Sequence, residues 1–318
     1  MRIFLAGGTG AVGRQLVPLL VRGRHEVVAT ARTAERAEAV RALGAQPAVM
    51  DGLDRASVLR AVAAARPEVV VHQMTALAEA RSFRRPDDVM AGSNRLRTEG
   101  TDHLLEAARA AGARRFVAQS FTGWPNAREG GRIKTEEDPL DASPAPSTVQ
   151  TLEAIRRLEH TVQSATDLVG VVLRYGAFYG PGTALAPGGV MLEMVRQRKL
   201  PIVGGGAGVW SFSHVADVAE ATRLAIEGGP AGIYNIVDDD PAEASVWLPE
   251  LARILAAPPP RRVPLWLGRL LAGEAMVRMM TEQRGSSNAK AKRLLGWQPA
   301  YASWREGFRR GLAAADAA

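Results

Sequence analysis

The first residues in this chain that could do chemistry are glycines. Gly7, Gly8, Gly10 and Gly13 stand between a short apolar run, Ile3-Phe4-Leu5, and a segment where Leu16, Val17, Leu19 and Leu20 recur at helical spacing. Strand, tight glycine turn and helix together make a seat for a pyrophosphate. Glycines let the backbone approach the phosphates, and the unbonded N–H groups and positive end of the helix face the anion. Two spacings overlap. Gly8, Gly10 and Gly13 fit G-x-G-x-x-G, while Gly7, Gly10 and Gly13 fit G-x-x-G-x-x-G. Gly7, Thr9, Gly10, Ala11, Val12 and Gly13 are the expected contacts, and the place between strand and helix makes the signal stronger than a lone triplet.

Such a turn needs a sheet to hold it. Strand-like runs follow at 26–30 (EVVAT), 46–50, 68–72 (EVVVH), 115–119 (RFVAQ) and 168–174 (LVGVVLR), separated by helical stretches at 34–43, 54–66, 94–112 and 147–165. This alternation predicts βαβ units and a parallel sheet. Thr33 is placed to cap the second helix and Gly44 to end it, and Ser147 with Gln150 has capping-box spacing. Residues 77–92 show little pattern, and 125–146 read as a polar surface excursion. Beyond the Tyr179-Gly180-Pro181-Gly182 turn the elements shorten, with one further core strand at 232–237. The expected fold is α/β: a Rossmann-type, doubly wound parallel sheet of about seven strands. It would occupy 1–180 plus about 215–238, with a smaller, mostly helical lobe from 181–214 and 239–318 closing a cleft over the carboxyl ends of the strands.

The chain has 318 residues, 47% of them hydrophobic, enough for a large core. No run of about 18 apolar residues occurs, so no membrane span is expected. Nothing precedes the first strand, which leaves no room for a signal peptide. The absence of cysteine excludes disulfides, thiolate metal sites and cysteine nucleophiles. A cytoplasmic protein without a metal is the expectation. The net charge of +7 raises nucleic acid as a partner. The basic residues are interspersed with acidic ones, however, and no Lys/Arg block is interleaved with aromatics, so no nucleic-acid partner is expected.

The order of these segments resembles the extended short-chain dehydrogenase/reductase superfamily, the NAD-dependent epimerase/dehydratases. The resemblance rests on FLAGGTGAVG, VVVHQMTALA, EGTDHLLEAARAAGARRFVAQS, VVLRYGAFYGPGT, GAGVWSFSHVADVAEA, GIYNIVDDDP and NAKAKRLLGWQPAY. It implies a bound NAD or NADP and a small-molecule substrate beneath the lobe. It places Asp51 and Gly52 at the adenine, and Gln73, Met74 and Thr75 beside the ribose and pyrophosphate. The second strand ends at Thr30-Ala31-Arg32, with no Asp or Glu between Val27 and Ala34. An acid there bonds the ribose hydroxyls of NAD, whereas a base suits the 2′-phosphate of NADP. Arg32, helped by Arg36, therefore predicts NADP, with NAD as the alternative. The resemblance also implies a homodimer through helices 94–112 and 148–165, which Arg156 and Arg157 on an exposed face leave open.

The family's chemistry rests on Tyr-x-x-x-Lys, and this chain has no such pair. Its tyrosines are Tyr175, Tyr179, Tyr234 and Tyr301, and none has a lysine four residues on. Aligning Glu159 with the acidic residue after the motif puts Thr151 at the tyrosine position and Ile155 at the lysine position. Phe121 takes the usual hydroxyl position, flanked by Ser120 and Thr122, and Arg97 stands where asparagine is usual. Ser120, Thr122, Thr151 and Tyr175 are thus the candidate proton donors or water holders. His72 and His214 read as scaffold. Trp210 and Ser211 replace the Arg-Asp that grips sugar diphosphates, which argues against a nucleotide sugar. Trp210, Trp124 and Gln150 are the candidate substrate contacts, for an apolar molecule. The expected activity is NADP-dependent reduction or dehydrogenation of a small, fairly apolar carbonyl compound or conjugated alkene. The alternatives are a non-redox epimerase, dehydratase or cyclase, and a dinucleotide-binding regulatory protein without catalysis.

Overall fold

The computed structural model describes residues 1–77 and 86–312. One parallel sheet contains β1 (Arg2–Ala6), β2 (Glu26–Ala31), β3 (Gln46–Val49), β4 (Val69–His72), β5 (Arg115–Phe121) and the strands Val169–Tyr175 and Gly232–Ile236. Across the sheet they lie in the order Gly232–Ile236, Val169–Tyr175, β5, β4, β1, β2, β3. The chain order reverses between the paired strands β1 and β4. Connections leave in opposite directions at that point and open a crevice outside the carboxyl ends of the strands. This is the doubly wound Rossmann sheet that the sequence predicts.

Alternation along β1 shows why the sheet is covered on both faces. Ile3 and Leu5 join one apolar cluster, and Phe4 and Ala6 join another. The connecting helices are α1 (Ala11–Arg22), α2 (Ala34–Ala42), α3 (Arg55–Ala65), α4 (Pro86–Arg95), α5 (Thr101–Ala110) and α6 (Val149–Gln163). α1, α2 and the helix Val215–Glu227 cover the first cluster with Leu16, Leu20, Val40 and Val218. α3, α5 and α6 cover the second with Val58, Leu104 and Leu158. Thr33 caps α2 as expected, its side chain accepting from the Arg36 N–H.

Three segments depart from the sequence reading. The helix expected at 94–112 is α4 and α5 joined by a π-helical turn, Leu96–Gly100. α4 lies in the stretch that showed little pattern because only Ser93 and Asn94 of its residues are buried, so no apolar stripe marks it. The rest of that stretch, 78–85, lies outside the described residues. The excursion at 125–146 is a brace rather than a free surface loop. Its strand Ile133–Lys134 pairs with Gly285–Ser286, and Asn126, Lys134 and Asp141 are buried. The lobe has its own core of Trp210, Phe212, Trp247, Met280, Trp304 and Phe308. Ala291, Leu295 and Trp297, expected in that lobe, pack instead into the α1 side of the sheet.

Each sheet edge is interrupted at one donor position. In β3, Met50 N–H turns inward to Ala31 O, so the two-residue alternation turns Pro47 outward, where it has no N–H to offer. At the other edge the Asn235 N–H donates to Glu136 Oε1 of the brace, 2.7 Å away.

Candidate active site

The glycine turn follows β1 directly. Gly7 has φ +109°, and its N–H donates to Thr30 Oγ1 at 2.9 Å, while the Gly8 N–H donates to Thr30 O at 3.1 Å. A Cβ on Gly7 would lie 2.6 Å from Gln73 O, one on Gly8 2.8 Å from Ala29 Cβ, and one on Gly13 2.4 Å from Gly7 O. Packing and backbone conformation therefore account for three glycines. Gly10 is different. It precedes α1 with φ −73° and ψ 172°, and a Cβ there would meet only Gly7 O, at an ordinary 3.5 Å. The protein makes no use of its smallness, which fits an outside group approaching the backbone. α1 also begins with no side-chain cap and no acid in its first turn. Its free N–H groups suit an anion. Gly10 and the uncapped first turn of α1 thus fit the pyrophosphate of a dinucleotide.

The neighbouring candidates border the same crevice. Gln73 follows β4 beside Gly7, and Met74 packs over Gly52, where a Cβ would lie 2.6 Å from Met74 Sδ. Asp51 is exposed, with Oδ1 accepting the Leu53 N–H, and Thr75 is exposed beyond Met74. Arg32 is exposed immediately after β2.

Ser120, Thr122 and Tyr175 lie at the ends of adjacent strands, the Thr122 N–H donating to Tyr175 O at 3.0 Å. None of the four candidate hydroxyls bonds another, however, and each is engaged elsewhere in the protein. Tyr175 is 1% exposed, its hydroxyl between Gln73 Nε2 at 2.8 Å and Thr222 Oγ1 at 2.9 Å, and burial pushes its pKa up to about 12. This corrects Tyr175 from proton donor to a core residue that positions Gln73. Ser120 Oγ donates to Glu159 Oε1 at 2.7 Å, and Glu159 forms a buried bidentate pair with Arg174. Thr122 Oγ1 lies 2.7 Å from Ser286 Oγ and is also bonded to Asn126. Thr151 Oγ1 donates to Asp87 Oδ1 at 2.6 Å and accepts from Asn94 Nδ2 at 3.1 Å. Arg97 Nη1 in turn donates to Asn94 Oδ1 at 3.0 Å. Ile155 is buried. Asp87 also receives the Gln150 and Thr151 N–H groups, so it caps α6 in place of the expected Ser147–Gln150 box. Asp87 and Asn94 had no signal in the sequence, because Thr151, which both engage, lies far along the chain.

Of the substrate candidates, Trp210 and Trp124 both adjoin Met279. Trp210 is buried, its indole donating to Met279 O and packing on Phe212 and Trp247. It is a lobe-core residue, which corrects its reading as a ligand cover. Trp124 lines a shallow depression with Arg128, Thr148, Arg278 and Met279, and the Gln150 side chain is exposed. His72 and His214 are scaffold as read. His72 Nε2 donates to Leu96 O, and His214 Nδ1 caps the helix Val215–Glu227 through the Ala216 N–H.

A sequence model described as the NAD dependent epimerase/dehydratase family matches residues 3–237. The chain belongs to that family. Among its relatives within and around this family, the 3-diazoavenalumate denitrifying reductase of a Streptomyces species is 48% identical over 98% of this chain and 100% of its own length. The 4-hydroxy-2-methyl-3-oxo-4-farnesyl-3,4-dihydroquinoline-1-oxide ketoreductase of Stigmatella aurantiaca is 32% identical over 78% of this chain and 71% of its own. The UDP-glucose 4-epimerase of Thermus thermophilus, solved in complex with NAD, superposes with TM-score 0.75 at 25% identity, covering 98% of this chain and 97% of its own. Fold, family and reductase relatives together make this an enzyme of the NAD(P)-dependent short-chain dehydrogenase/reductase type. No helix among the described residues is long and apolar enough to cross a membrane, and no group of three or more His, Cys, Asp or Glu among them is placed to hold a metal.

Proposed function

We propose that the chain is an NADP-dependent reductase whose hydride acceptor takes no proton from the protein, and that this acceptor is an aromatic diazo compound. The observation that carries the reading is the engagement of Ser120, Thr122, Thr151 and Tyr175, each already bonded within the protein. Carbonyl reduction needs a proton on the new alkoxide, which general acids supply in most reductases. Loss of nitrogen from a diazonium carbon needs none. The carbon–nitrogen bond breaks with its electron pair leaving on N₂, and the pair of the incoming hydride forms the new C–H bond. The relative at 48% identity is named for a diazo-bearing carboxylate and for denitrifying reduction, which supports the same chemistry here. The reduced nicotinamide supplies the hydride. The chain's own part is to hold the dinucleotide on Gly7–Gly13 and α1, to take the 2′-phosphate on Arg32, and to shield the acceptor from water under the lobe.

The test is nicotinamide oxidation against a diazotised aminohydroxycinnamate, an aryl ketone and an enone, with evolved nitrogen measured. NADPH loss equimolar with N₂ on the diazo compound is expected. Turnover of the ketone or enone with none of the diazo compound would overturn the reading, and product formation without nicotinamide oxidation would favour the non-redox alternative. Arg32→Ala is expected to raise the KM for NADPH about tenfold, the loss of roughly one charge-assisted pair, and to leave NADH unchanged.

A further inference from the structure

Three lysine or arginine side chains are buried among the described residues: Arg97, Lys134 and Arg174. Two have a carboxylate. Arg174 pairs with Glu159 at 2.6 Å, and Lys134 with Asp138 at 3.2 Å. Arg97 is only 8% exposed, and its one bond among the described residues goes from Nη1 to the neutral amide oxygen of Asn94. Burial lowers its pKa to about 10, with no carboxylate opposing the shift, and it stays charged at neutral pH. The His72 ring near it is no counter-charge, since burial holds it neutral. A buried cation with no carboxylate partner among the described residues is strongly unfavourable unless something anionic completes it.

Its place in the fold says which space it faces. The π-helical turn carrying Arg97 is tied to the carboxyl end of β4 by His72 Nε2, which donates to Leu96 O at 3.0 Å. It is tied to the first turn of α6 by Asn94 Nδ2, which donates to Thr151 Oγ1. The first tie sets the turn beside the carboxyl end of β4, at the switch point. Arg97 keeps 8% of its surface exposed, and one of its nitrogens, Nη1, is bonded among the described residues. From Arg97 to Asn94, Thr151 and Asp87, each group donates to the next. Such a chain is mutually polarised. It grips the guanidinium by one nitrogen and, among the described residues, takes up no other atom of the fork.

We propose that Arg97 is the anion-binding residue of the site, receiving the carboxylate of an aromatic acid substrate in a forked pair. This rests on the crevice being the active site of the reductase above, and its test reads binding rather than turnover. With NADP⁺ present, 4-hydroxycinnamate and its methyl ester are titrated by calorimetry into wild type, Arg97→Lys, Arg97→Gln and Arg97→Met. NADPH is titrated separately, and melting temperatures are recorded. Wild type is expected to bind the acid at least tenfold more tightly than the ester. Arg97→Met and Arg97→Gln lose that preference, Arg97→Lys keeps part of it, and the Kd for NADPH moves less than threefold throughout. Removing an unpaired charge leaves the melting temperature of Arg97→Met equal or higher; if that variant fails to fold, the Lys and Gln variants carry the comparison. Equal binding of acid and ester by wild type overturns the proposal. So does an acid preference that survives in Arg97→Gln. A tenfold weaker Kd for NADPH with the acid preference intact assigns the anion to the cofactor's phosphate and likewise overturns it. Acid preference as described, together with no diazo reduction, leaves Arg97 in this role and sinks only the proposed reaction.

Discussion

Gly10 and Gly13 sit three positions apart in one motif yet answer to different constraints. A methyl on Gly13 would lie 2.4 Å from Gly7 O and 2.6 Å from Gly8 O, with the backbone on both sides unable to move aside. Gly13→Ala is expected to destabilise the protein by about 1–3 kcal/mol, read as a lower denaturation midpoint. Gly10→Ala meets no such contact, so its melting temperature should match wild type while the Kd for NADPH weakens tenfold or more. Unchanged affinity in Gly10→Ala would remove the argument that a ligand explains this glycine. The motif was legible because its glycines stand at a fixed short spacing between a strand and a helix. The roles of the polar residues were not. Tyr175 and Gln73 are 102 positions apart, and Thr151 and Asp87 are 64 apart. No local pattern reports whether a hydroxyl proton is already spoken for.

α6 shows the same limit at the scale of an element. Its apolar stripe, Leu152, Ile155, Leu158 and Val162, announced the helix, and all four are buried. Its start did not follow the local signal, since Asp87 from α4 takes the Gln150 and Thr151 N–H groups. Asp87→Ala is expected to cost about 1–2 kcal/mol, the range for loss of an N-cap, while Ser147→Ala should be within about 0.5 kcal/mol of wild type. Urea unfolding of both variants decides between the two caps, and equal losses would mean that Asp87 is not the cap that matters. The strands of the sheet were legible because β-branched runs buried on both faces leave a continuous signature. The brace at 126–145 and α4 were not, because both are held by hydrogen bonds and pairing rather than by an apolar face.

For the molecule as a whole, buried histidines set how stability responds to acid. Burial lowers both His72 and His214 from 6.5 to about 4. Between those values the unfolded chain takes up protons that the native state refuses, so their contribution is complete above about 6.5 and is lost as pH falls toward 4. Asp238, pushed up to about 8 by burial, works in the opposite sense, losing its contribution as pH rises from 3.8 toward 8. The informative quantity is therefore a difference. Asparagine also accepts an N-cap bond, so His214→Asn keeps the cap and removes the titration. Its deficit in melting temperature relative to wild type should shrink between about pH 7 and pH 5. A deficit that is constant or grows would show that His214 does not titrate in this way. The interrupted edges of the sheet bear on a different matter, how the chain behaves in a crowd. An open edge is a template on which a second copy can add a strand and from which aggregation spreads. Here Pro47 leaves a gap in one row of donors, and Glu136 occupies a donor in the other. Copies of this enzyme that meet at high concentration are barred from joining sheet to sheet at those positions, which favours assemblies made through helices or the lobe and protects solubility without enlarging the core.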